Sequence, residues 1–60
     1  MAEAPHGIDL RLLRVAARVT VGELAREAGW KHQRVTTLEE MDRPTEAATR
    51  RYLAALERCR

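Results

Sequence analysis

Sixty residues make one small domain, with a single core that leaves little stability margin. A formal charge of +2 is too weakly basic to bind nucleic acid by net charge alone, so any such role rests on where the charges lie. Two aromatics, one cysteine and no apolar run of membrane-spanning length fit a bundle built from Leu, Val and Ala. They also exclude an internal disulfide and point to the cytoplasm.

Residues 1–8 carry Pro5 and Gly7 without any periodicity and read as a disordered lead-in to a domain over 9–60. Asp9 can cap a first helix from Leu10 to Arg18. Helical spacing predicts that Leu12, Leu13, Ala16 and Ala17 form its buried face. Arg11, Arg14 and Arg18 then fall on the other side, as a basic stripe beside a phosphate backbone or simply a solvated face. Val15 among them is a single exposed valine or part of a partner surface.

The next stretch, Thr20 to Glu40, organises the chain. Thr20 and Glu23 make a capping box, and Leu24, Ala25 and Ala28 share one face of a short helix. Gly29 ends that helix, since glycine readily takes the left-handed conformation. Two residues later the apolar rhythm resumes at Val35, Leu38 and Met41. Two short helices around a glycine turn are a helix-turn-helix signature, and Ala25 is small enough for the close crossing. Beyond it, Asp42-Arg43-Pro44-Thr45 is a loop, and Thr45 caps a fourth helix from Glu46 to about Arg58. That helix presents Ala48, Tyr52, Leu56 and Cys59 on one face, with Leu53 and Ala55 flanking, and turns Arg50 and Arg51 outward.

The third helix carries the functional signal. With Val35 and Leu38 inward, His32, Gln33, Thr36 and Thr37 share the opposite face. Gln pairs bidentately with adenine, His donates to guanine, and a Thr methyl packs on thymine. Lys31 and Arg34 add charge suited to phosphates. The helix opens K-H-Q-R, where its dipole prefers an oxygen cap and negative charge, and a bound phosphate would relieve that conflict. The bland alternative is exposed charge costing a few tenths of a kcal/mol.

The pattern Leu10-Arg11-x-Leu13-Arg14, Val19-Thr20, Glu23-Leu24-Ala25, Gly29, Val35, Leu38 and Glu39 resembles the Cro/CI-repressor (xenobiotic-response-element) helix-turn-helix family over roughly Leu10 to Leu56. The resemblance implies an all-α, four-helix, lambda-repressor-like domain that binds double-stranded DNA as a homodimer. It implies base-facing roles for Lys31, His32, Gln33 and Thr37, with Thr36 beside them. Phosphate contacts are expected from Arg34, Arg43, Arg11 and Thr20, and an ion pair from Arg14 and Glu39.

The departures are specific. Val21 stands where the family has a glutamine, Arg18 where it has a glycine, and Glu39-Glu40-Met41 where Glu-Asn-Gly is common. The family's fifth, dimerising helix is missing, which leaves Tyr52, Arg51 and the Leu53/Leu56 edge of helix four, or Val15 and its neighbours, as dimer surfaces. Trp30 replaces a core aliphatic and is expected between helices two and three. His6 and His32 do not cluster with Cys59, so no metal, cofactor or enzymatic site is expected. No small-molecule effector site is evident. The reading is a sequence-specific regulator, a repressor or autoregulator of an inverted-repeat operator. The alternative is a protein-interaction adaptor or antitoxin-like partner of the same shape.

Overall fold

The computed structural model of the chain describes residues 6–60, which form four helices: α1 Gly7–Ala16, α2 Val21–Ala28, α3 His32–Glu40 and α4 Glu46–Cys59. Caps set three of the four starts. The Thr20 hydroxyl accepts from the Glu23 amide while the Glu23 carboxylate accepts from the Thr20 amide, closing the box at α2. The Thr45 hydroxyl accepts from the Ala48 amide at α4. At α1 the Asp9 carboxylate accepts from the amide of His6, 2.9 Å away.

That last contact corrects the sequence reading. Asp9 lies inside α1 rather than capping it, so Gly7 and Ile8, assigned to the lead-in, are helical. Residues 1–5 lie outside the described part of the chain. The buried face of α1 also differs from expectation. It runs through Gly7, Leu10 and the partly buried Arg14, which follow the three- and four-residue spacing of a helix. Leu12 and Leu13 stay 59% and 49% exposed, and Ala16 is exposed too. Two anchors decide this rotation. The Gly7 amide donates to the Met41 carbonyl, and the Arg14 guanidinium reaches inward to Glu39. Ile8, Leu12, Leu13 and Val15 are left outside.

The core is Leu10, Val19, Leu24, Ala25, Ala28, Val35, Leu38, Ala48, Tyr52, Ala55 and Leu56. α4 packs chiefly across α2, and α1 across α3. Four of the eleven core residues are alanines on α2 and α4, which lets those two helices approach closely. Met41 falls out of the expected rhythm. α3 stops at Glu40, and Met41 is extended and 40% exposed.

Helices α1 and α2 end alike. At α2 the Trp30 amide donates to the Ala25 carbonyl and the Gly29 amide to that of Arg26, with Gly29 left-handed at φ 72°. At α1 the Val19 amide donates to the Arg14 carbonyl and the Arg18 amide to that of Val15, with Arg18 at φ 60°. Both are Schellman closures, but only one has the glycine the conformation favours. A side chain in that region costs roughly 1–2 kcal/mol, partly offset by glycine's greater freedom in the unfolded chain. Arg18→Gly should therefore stabilise the protein by up to ~1 kcal/mol in urea titration. A loss of stability would mean that the arginine makes a favourable contact outweighing its backbone strain.

Candidate nucleic-acid interface

α3 divides cleanly into two sides. Val35, Leu38 and Glu39 are buried, whereas Lys31, His32, Gln33, Arg34, Thr36, Thr37 and Glu40 are exposed. All five residues expected to face bases are therefore exposed. Lys31 occupies the N-cap position without a side-chain cap bond, and the first turn has no acidic residue.

Two of these side chains are held locally. The Thr36 hydroxyl donates to the Gln33 carbonyl at 3.0 Å, which fixes its rotamer within the helix. The His32 ring rests beside Gly22 in the first turn of α2; a Cβ there would meet Nε2 at 3.4 Å. The Thr20 hydroxyl, which accepts from the Glu23 amide, stands 3.9 Å from the same Cβ position. Glu23 is held below the usual carboxylate range by the Thr20 backbone amide first and by its hydroxyl second.

Charge around α3 is arranged unevenly. A shallow groove is lined by Gly29, Trp30, Lys31, Gln33, Arg34 and Thr37, with no carboxylate among them. A second, between α1 and α3, is lined by Arg11, Arg14, Val21, Thr36, Glu39 and Glu40. It brings Arg11 to the edge of the α3 face, with Glu40 opposing it there. Arg43 lines neither groove and stays exposed in the α3–α4 loop. The ion pairs among the described residues are Arg14–Glu39, Arg50–Glu46 and Arg60–Glu57, and the His6 ring lies 3.3 Å from the Asp42 carboxylate. Lys31, Arg34, Arg11 and Arg43 take part in none of them.

Beneath this face lies a polar knot. Arg14 Nε and Nη2 donate to the two carboxylate oxygens of Glu39 at 2.7 and 3.2 Å, and Nη1 donates to the Val19 carbonyl at 2.9 Å. The expected Arg14–Glu39 pair is thus present and bidentate. Tyr52 completes it: its hydroxyl lies 2.6 Å from Glu39 Oε2 and 3.1 Å from the Leu10 carbonyl, fully buried. The knot joins α1, α3 and α4 and fixes the pitch of α3 against the body. Tyr52, a candidate for the dimer surface from the sequence, is instead consumed by the core. The missed signal was chemical, because a lone Tyr at a core position needs a partner for its hydroxyl.

Other assignments on α4 shift as well. Leu56 is buried and Leu53 half-buried, so the expected edge of helix four is mostly consumed by the core. Arg51 is exposed, as expected, but its head group folds back onto α2. Its Nε donates to the Ala28 carbonyl at 2.8 Å, and its guanidinium carbon stands 5.8 Å from the centre of the Trp30 ring. Arg34 stands 5.7 Å from the same ring. Trp30 is half-buried, packed against the core yet lining the groove. The Cys59 thiol points at the Glu23 carbonyl and is pushed up by burial first, then by Glu27 and Glu23, the opposite of nucleophile activation. No helix is long and apolar enough to cross a membrane among the described residues. No family model matches this chain, and no curated protein or solved structure is significantly similar to it, so the reading of this face rests on its own side chains.

Proposed function

We propose that the protein is a sequence-specific DNA-binding regulator that lays α3 in the major groove. The observation that carries this reading is the outer side of α3. His32, Gln33, Thr36 and Thr37 are exposed on it, flanked by Lys31 and Arg34, cations that form no ion pair among the described residues. Donors and acceptors suit base edges, and unpaired cations suit phosphates. Arg11, Arg43 and the Thr20 hydroxyl serve as flanking phosphate contacts.

The protein acts as a homodimer on an inverted repeat, half-sites about one turn (~34 Å) or a multiple apart. The pairing surface is the outward side of α1, where Ile8, Leu12 and Val15 lie at four- and three-residue spacing, each more than half exposed. One 10-residue helix offers less than the ~800 Å² per partner of a stable interface, so pairing is weak in solution and completed on DNA. Its own concentration then sets occupancy, as befits a repressor of its own operon.

Pull-down of sheared genomic DNA at near-physiological salt tests this. An inverted repeat among enriched fragments is the expected result, and a single asymmetric site would overturn the dimer. Within the recovered site, Gln33→Ala should cost ~1–3 kcal/mol and relax one base pair, while Arg34→Ala should weaken all sequences and lower the salt slope by about one. Equal losses for Gln33→Ala on specific and random DNA would remove its base-reading role. The same exposed α1 aliphatics favour a second reading, an adaptor that docks α1 on another protein. Such binding would tolerate added salt, whereas DNA binding would weaken steeply.

A further inference from the structure

The sequence seats Trp30 between helices two and three, yet its surroundings are unusual. Two guanidinium carbons stand over its ring at 5.7 and 5.8 Å, within the range of cation–π attraction. They differ in what else holds them. Arg51 is tied to the last carbonyl of α2 by a 2.8 Å bond, and the space above Gly29 is filled by its Nη2, 3.2 Å from where a Cβ would stand. Arg34 takes part in no side-chain hydrogen bond or ion pair among the described residues, so the indole is its recorded partner. The ring itself is half-buried and seated on the core.

We propose that Arg51 and Trp30 are positioning residues that hold Arg34 ready for a DNA phosphate, an inference that rests on the DNA-binding reading above. A free arginine side chain loses rotamer freedom when it binds a phosphate. Resting the guanidinium on a fixed aromatic face spends some of that ordering before DNA arrives. The order of attachment runs one way: the α2 carbonyl holds Arg51, Arg51 and the core hold Trp30, and Trp30 holds Arg34. Two like charges on one ring also repel, and a phosphate at Arg34 relieves that repulsion.

The test is a double-mutant cycle on duplex DNA. Trp30→Leu keeps an aliphatic seat on the core and should weaken binding roughly two- to fivefold, the scale of an exposed cation–π contact. Trp30→Phe should recover part of that loss. In an Arg34→Ala background, Trp30→Leu should have no further effect, because nothing remains to be positioned. Trp30 is the single tryptophan, so its emission should shift when wild-type protein binds and shift less in Arg34→Ala. Additive losses, or a Phe variant as weak as the Leu variant, would overturn the positioning role while leaving DNA binding intact. No binding by wild-type protein even to random duplex at low salt would overturn the DNA reading, and this inference with it.

Discussion

Arg14→Met should cost about 3–5 kcal/mol of stability, the usual consequence of removing one partner from a buried ion pair. The side chains of Arg14 and Glu39 are 12% and 5% exposed, so the carboxylate left behind has little access to water. It would lose both guanidinium bonds and keep only the Tyr52 hydroxyl. The Val19 carbonyl would lose its Arg14 donor as well. A 60-residue domain has about 3–9 kcal/mol in all, so this variant should lose a large fraction of it, read as a much lower urea midpoint by circular dichroism. Arg14→Met with Glu39→Gln should recover part of the loss, because the residual buried charge is gone. A single variant that loses less than ~1 kcal/mol would show that water reaches Glu39.

The same knot sets the alkaline limit. Burial first, then the Glu39 hydrogen bond and charge, push the Tyr52 hydroxyl well above the ordinary tyrosine range. A group whose pKa is raised on folding contributes stability that is complete below its unfolded value and lost as pH rises beyond it. Stability should therefore hold through neutral pH and fall once the solution passes the ordinary tyrosine range. Arg14, raised chiefly by its hydrogen bond to Glu39, keeps its charge throughout.

Local chemistry made much of this fold legible from the sequence. Thr20 with Glu23, Thr45 and Gly29 declare their roles within three or four residues, and the structure follows each of them. The division of α3 into Val35 and Leu38 inward against His32, Gln33, Thr36 and Thr37 outward was equally readable, because both sides repeat with the helix. What was not readable depends on partners distant in sequence. Leu12 and Leu13 look as apolar as Leu10, and no pattern within α1 says which one is buried. That choice is made by Glu39 and Met41, 25 and 34 residues away along the chain from the groups they hold. Arg51 shows the same limit, since its acceptor at Ala28 lies 23 residues upstream.

Gly7→Ala, the second large effect, should destabilise the protein by about 2–3 kcal/mol, although the same change inside an exposed helix normally stabilises by up to ~1 kcal/mol. The reversal follows from where Gly7 sits. Its amide donates to the Met41 carbonyl at 3.0 Å, so the start of α1 lies directly on the end of α3. A Cβ at this position would stand 2.5 Å from the Leu38 carbonyl oxygen and 2.6 Å from that of Glu39, with the Met41 oxygen nearer still. All three are backbone atoms, so no side chain can swing aside. The two helices would have to separate, loosening the amide bond and disturbing Glu39 from the knot. Gly22→Ala is the matched control, because its Cβ would meet only side-chain atoms, the His32 ring at 3.4 Å and the Thr20 hydroxyl at 3.9 Å. Urea midpoints of the two variants should move in opposite directions, or Gly22→Ala should stay level while Gly7→Ala falls. Equal midpoints would mean that α1 can back away from α3 freely, and that the joint between them does not fix how α3 is presented.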